Sequence, residues 1–207
     1  MTVRLVIFDL DGTLLRGDTV CLALARRLGK ASRMLEFEAL TDFELIKLAR
    51  YEMAEWYWPV PPESLIEWLG DLKLAPGAER GCDLLREFGI EIGIASMTWE
   101  FAVARFAQRL GASYWTGTTL DLTTWEIKHS SPQRKAEFLR STMERLELRP
   151  EQVAAVGDSS SDLEMLRAAG RRFFVGATRP DIEDVVHLPG GNIAEIAGII
   201  AGHRTGA

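Results

Sequence analysis

Short apolar runs alternate along the chain with longer stretches in which apolar residues recur every three or four positions. The runs at residues 5–8, 90–95, 153–156 and 172–175 read as strands, because a strand covered on both faces shows no polar alternation. Helical spacing appears in Val20, Leu22, Ala23, Ala25 and Leu28, and again in Phe43, Ile46, Leu48, Ala49 and Met53. It returns over residues 78–88, then in Phe101, Val103, Phe106 and Leu110, in Phe138, Leu139, Met143 and Leu146, and in Ile193, Ile196, Ala197 and Ile200. Asp42 suits the N-cap of one helix, and Pro61, Pro62 and Glu63 suit the opening of another through Trp68 and Leu69. The β-prone residues from Tyr114 to Ile127, Leu122 among them, suggest a hairpin reversing near Asp121.

Strands separated by helices predict an α/β class: a doubly wound, mainly parallel, Rossmann-like sheet. Between the first strand and Pro76-Gly77 the pattern is helical only, so residues 1–15 and 76–207 form the expected core and residues 16–75 a small helical cap inserted after the first strand. Trp56, Trp58 and Trp68, with Tyr51 and Tyr57, are expected to fill the interior of that cap.

Composition narrows the function. A net charge of −6 leaves no basic excess for nucleic acid. No apolar stretch approaches the ~18 residues of a membrane span, and the first strand lies so near the start that no signal peptide is expected. Cys21 and Cys82 have no metal-ligand spacing and read as ordinary buried thiols, which fits a reducing, cytoplasmic setting. His129, His187 and His203 have no evident base or ligand partners in the sequence.

The candidate chemistry lies where apolar runs end. Asp9 and Asp11 follow the first strand and stand before Gly12 and Thr13, at the strand edge where open α/β sheets bind ligands. One carboxylate could attack while the other moves a proton; a solvated acidic turn is the local alternative. Ser96, followed by Met97 and Thr98, is placed either to cap the next helix or to offer a hydroxyl and backbone N–H groups to an anion. Among Lys128, Arg134 and Lys135, the last stands in the first turn of a helix, where a cation opposes the dipole and suggests a nearby negative charge. Asp158 and Asp162, four residues apart after the third run, could converge on a hard cation such as magnesium or serve as N-cap and first-turn acids.

Asp9-Leu10-Asp11-Gly12-Thr13, Ser96, Lys135 and the Asp158/Asp162 pair, in that order, resemble the motifs of the haloacid dehalogenase-like hydrolases. The cap after the first strand places the likeness in the phosphoserine-phosphatase-like branch. The resemblance implies that Asp9 becomes an aspartyl-phosphate and that Asp11 protonates the leaving alcohol and then deprotonates water. It also implies that Ser96 binds phosphoryl oxygens, that Lys135 offsets their charge, and that Mg2+ is held by the carboxylates of Asp9 and Asp158 and the backbone carbonyl of Asp11. Asp162 then ligates through water or orients the other groups. The Asp9 carboxylate, with an ordinary pKa, would need no base to activate it.

Departures from the branch bear on substrate. Asp18 stands where a longer glutamate usually holds a substrate ammonium, Met97 and Thr98 replace glycines, and Ser161 replaces an asparagine. Lys47 and Arg50 are neighbourhood candidates for a substrate carboxylate. The expected partner is a small phosphorylated metabolite, with Asp18, Ser96 and Met97 against it. A phosphotransferase or phosphomutase using the same intermediate, and a non-catalytic regulator that binds a phosphometabolite, are the alternatives.

Overall fold

The computed structural model describes residues 2–121 and 123–202; His203 and Leu122 lie outside them. The chain opens with β1 (Leu5–Phe8), makes a tight turn over Leu10–Leu14, and enters the two-residue strand β2 (Leu15–Arg16). Four helices follow: α1 (Val20–Arg27), α2 (Ala31–Glu38), α3 (Phe43–Tyr57) and α4 (Pro62–Trp68). The chain returns through β3 (Lys73–Leu74), antiparallel to β2. Then come α5 (Ala78–Glu87), β4 (Glu91–Trp99), α6 (Glu100–Leu110), β5 (Tyr114–Leu120), β6 (Ile127–Lys128) and α7 (Pro132–Arg145). The remainder is β7 (Val153–Gly157), α8 (Leu163–Ala168), β8 (Arg171–Phe174), β9 (Val185–His187) and α9 (Ile193–Ala201).

Seven strands form one sheet in the order β6-β5-β4-β1-β7-β8-β9, parallel except for the β5–β6 hairpin. The apolar run of β1 is needed because it is central and buried on both faces. Val6 and Phe8 face Cys82, Leu85, Ile193 and Ile196, while Leu5 and Ile7 face Leu139, Met165 and Leu166. Each of these β1 side chains is fully buried, an arrangement contributing roughly 2 kcal/mol apiece. The alternation fixes register, and a slip of one residue would exchange the two faces.

Phe8 lies opposite Ile94 on one side and Val156 on the other. Flanking strands with connections on opposite faces make the carboxyl end of β1 a topological switch point, where such sheets form a crevice. The sequence reading ended the second strand before Ser96. It continues to Trp99, with an irregularity between Ala95 and Trp99, so α6 starts at Glu100 and neither Ser96 nor Thr98 is its N-cap. The β-prone stretch after residue 113 gives a full sheet strand, β5, as well as a hairpin. Among the described residues no helix is long and apolar enough to cross a membrane.

Candidate active site

Asp9 begins the turn that leaves β1, and its backbone N–H donates to the Val156 carbonyl at 2.9 Å, tying the end of β1 to the end of β7. Gly12 reverses the chain at φ +82°, and a Cβ there would lie 2.2 Å from Asp158 Oδ2, so a side chain is barred by both conformation and contact. Thr13 then donates its hydroxyl to Asp158 Oδ1 at 3.1 Å. The turn therefore brings Asp9 and Asp158 together from positions 149 apart in sequence. One oxygen from each of Asp9, Asp158 and Asp162 falls within a 4.8 Å group.

Lys135 arrives from the first turn of α7, a helix begun by the Ser131 cap and Pro132. Its buried Nζ donates to Asp9 Oδ1 at 2.7 Å and to Asp162 Oδ1 at 2.8 Å. Burial lowers the affinity of the lysine for its proton, but Asp162 and Asp9 reverse the balance and raise its pKa above the ordinary value. Asp162 has little left to offer: its Oδ2 accepts from the backbone N–H groups of Asp158 and Ser159, both at 3.0 Å, and from the Ser159 hydroxyl. Its geometry is that of an orienting group holding both Lys135 and the Asp158 loop.

Burial pushes the Asp9 carboxyl well above its ordinary pKa; Lys135 opposes this, and Asp162 and Asp158 reinforce it. Three acids and one lysine in a dry site leave it short of positive charge. Asp158 is raised likewise, first by burial and then by Asp162. Hard oxygen donors short of positive charge fit a divalent cation such as magnesium. Asp11 points elsewhere: its Oδ1 accepts from the Val20 N–H at the start of α1, at 2.8 Å. Burial pushes its pKa up to about 6 against that hydrogen bond, a range in which it can both hold and release a proton.

A family profile for haloacid dehalogenase-like hydrolases matches residues 6–167. The chain belongs to that family. Among curated proteins, this haloacid dehalogenase-like chain is 28% identical over 174 residues to a phosphoserine phosphatase of Archaeoglobus fulgidus, covering 81% of this chain and 51% of that one. It is 26% identical over 177 residues to a phosphoserine phosphatase of Mycobacterium tuberculosis, covering 82% and 43%. The chain thus spans about half the length of these relatives. A solved structure described as a phospho-aspartyl intermediate analogue of phosphoserine phosphatase superposes with a TM-score of 0.79 at 19% identity, over 96% of this chain and 99% of that one, a likeness of fold.

The remaining expected residues of this family member divide between two hollows. Asp11, Met97, Thr98, Cys21, Glu38 and Arg50 line one hollow of about 220 Å³, between the helical segment and the sheet edge. Ser96 is buried at the same edge, and its Oγ accepts from the Thr98 N–H at 3.2 Å. Asp18 does not join them. Its carboxylate pairs with Arg26 at 2.7 Å and lines a separate hollow, because the chain turns at Gly17 (φ +93°) and nearly two turns of α1 set Arg26 within reach. Lys47 is paired with Glu44, and Lys128 is exposed on β6. Arg50 is buried at the hollow, donating to the carbonyls of Ser130 and Met97 at 3.0 and 2.8 Å, and burial lowers its pKa to about 10. Glu38, which accepts from the Thr19 hydroxyl, was not foreseen, since an exposed acid ending a helix carries no sequence signal. His129 has a packing role at this boundary: its Nδ1 lies 3.5 Å from Arg50 Nη1, and Tyr51 meets its ring edge-on.

Proposed function

We propose that the chain is a magnesium-dependent phosphatase that hydrolyses a small phosphate monoester through an aspartyl-phosphate at Asp9. The observation that carries this reading is the Asp9–Lys135–Asp162 contact beside Asp158: a nucleophilic carboxylate held in a dry, acid-rich crevice next to one buried cation. Asp9, Asp158 and the Asp11 backbone would hold the metal, which when bound would neutralise the acids and the phosphoryl oxygens. Asp162 fixes the surrounding groups, and Ser96 and Lys135 receive phosphoryl oxygens.

An oxygen of Asp9 forms a bond to phosphorus while the bond from phosphorus to the ester oxygen breaks, and Asp11 gives its proton to the departing alcohol. Asp11, now a carboxylate, takes a proton from water as the water oxygen attacks phosphorus. The Asp9 oxygen leaves, and inorganic phosphate is released. Burial supports both turns of Asp11, since a carboxyl shifted to about 6 is a better acid than water and a better base than an ordinary aspartate. The helical segment 16–75 serves as a cap that covers the alcohol and excludes bulk water.

The test is release of phosphate from p-nitrophenyl phosphate with Mg2+, with and without EDTA. Asp9→Asn should lower turnover by at least ~10³-fold with the circular dichroism spectrum unchanged, an effect scaled to loss of the nucleophile. Turnover in the folded variant within tenfold of the parent would remove Asp9 from the reaction. The comparisons with phosphoserine phosphatases make phosphoserine the first metabolite to assay, and the departures at Asp18 and Met97 make a wider panel necessary.

A further inference from the structure

The hollow containing Asp18 has no part in the proposed chemistry, yet its walls are unlike the rest of an acidic molecule. It encloses about 320 Å³ beside the β2–β3 ribbon, where the chain leaves and re-enters the sheet domain. Four cations line it: Arg16, Arg26, Arg27 and Lys73. Its two acids are both engaged, Asp18 with Arg26 and Asp71 with Arg27, which leaves an excess of two positive charges on a chain whose net charge is −6.

The excess sits on an unfavourable pair. Arg16 and Lys73 are direct cross-strand partners in the two-residue ribbon, and like charges in such positions repel. Arg16 is also half-buried, and its Nη2 is buried with no hydrogen-bond partner among the described residues, although a guanidinium nitrogen in that position loses the hydration it had in solvent. Partial burial lowers the Arg16 pKa, against the attraction of Asp158. Trp68 forms part of the wall, giving a flat apolar surface beside the charges. A repelling pair lining an open cationic hollow has one remedy, which is a ligand that brings negative oxygen.

We propose that this hollow is a second binding site, distinct from the catalytic crevice, for a small multivalent oxyanion that bridges Arg16 and Lys73. Such a ligand screens the two cations from each other and joins the two strands that connect the helical segment to the sheet. Organic or inorganic phosphates and polycarboxylates share this chemistry.

The experiment is calorimetric titration of the full chain with pyrophosphate, and separately with citrate, after metal has been stripped with a chelating resin and in buffer free of soluble chelator. Without metal the catalytic crevice holds the carboxylates of Asp9, Asp158 and Asp162, with Lys135 already engaged by two of them, and repels anions, so binding reports the hollow. One site per chain is expected, with affinity falling as salt rises and weakened at least tenfold by Lys73→Gln and by Arg16→Gln. Lys73 is exposed, so its replacement leaves the fold intact and keeps the test valid if Arg16→Gln is poorly soluble. Preference for pyrophosphate assigns a phosphate ligand, and preference for citrate a polycarboxylate. Hydrogen exchange should show protection by the bound anion at residues 15–17 and 68–73. No binding up to millimolar anion, binding undiminished in both variants, or protection confined to residues 9–13 and 157–162 would overturn the proposal.

Discussion

Lys135 shows how the site holds itself together without solvent. A lysine this deeply buried is stable only because two carboxylates meet its single nitrogen, and those carboxylates are tolerated only because of it. Lys135→Met should therefore abolish turnover and lower stability by ~3 kcal/mol at pH 7, since it leaves acids buried without their cation. Urea denaturation measures this, and a change below ~0.5 kcal/mol would show that the acids need no internal counter-charge. The two thiols behave in the opposite way. Burial pushes Cys21 and Cys82 up to about 12, so at pH 8 the thiolate fraction is on the order of 10⁻⁴. Neither should react with a disulfide reagent in the native protein, and both should react once it is denatured; one fast equivalent from folded protein would contradict this. Residue by residue, the sequence singled out Asp9, Asp158 and Lys135, which the fold brings together, because each sits at a strand end or helix start, where a charge has a local reason to be noticed. The direction of Asp18 was not legible, because it depends on Arg26, eight residues farther on, and on the reversal at Gly17. Those are tertiary choices that spacing does not encode.

Among the elements, α7 does the most for the site, and its start is made by a cap rather than by packing alone. The Ser131 hydroxyl accepts from the Arg134 N–H at 3.2 Å, and Pro132 occupies the first turn. Ser131→Ala should cost ~1 kcal/mol and lower the melting temperature by ~2–4 °C, with a fall in kcat because Lys135 is carried on the loosened turn. Calorimetry and steady-state rates on one preparation separate these effects; an unchanged melting temperature would mean that the cap contributes nothing. The long, strongly patterned elements were readable: β1, β7, α5, α6, α7 and α9 all form about where periodicity places them. The short ones were not. β2 and β3 have two residues each and β9 three, too few for a period to show, and they exist because partners from distant segments complete their hydrogen bonds. The overrun of β4 past Ser96 has the same origin, since β5 pairs with it as far as Trp99.

Across the whole molecule, the helical segment is fastened to the sheet domain by a few contacts away from the β2–β3 ribbon. Trp99 Nε1 donates to the Tyr57 hydroxyl at 3.0 Å, Trp58 lies against Trp125 with ring centres 4.4 Å apart, and Arg50 reaches the Met97 and Ser130 carbonyls. Trp58 is 65% exposed and Tyr51 50%, so the expectation that these aromatics fill the interior fails at both, while Tyr57 is buried and Trp56 stacks on Phe37. Because Arg50 makes two charge-assisted bonds across this boundary, Arg50→Met should speed amide exchange in α3 by ~10-fold, equivalent to ~1.4 kcal/mol, and leave β1 unchanged. Equal acceleration in both would mean that the segment and the sheet open as one unit. The general architecture was legible because a parallel sheet imposes its apolar runs and helical crossovers on the sequence; the seam between the parts was not, because it is made of single side chains.

The partners of Asp9 come from far along the chain: Thr13 meets Asp158 across 145 positions and Asp9 meets Lys135 across 126. During synthesis at ~5–20 residues per second, the first strand therefore leaves the ribosome about 7–30 s before its neighbour β7 exists. For that interval the edge of β1 that β7 will cover stays open even after β4 has emerged, and the crevice around Asp9 cannot close until the segment carrying Asp158 is made.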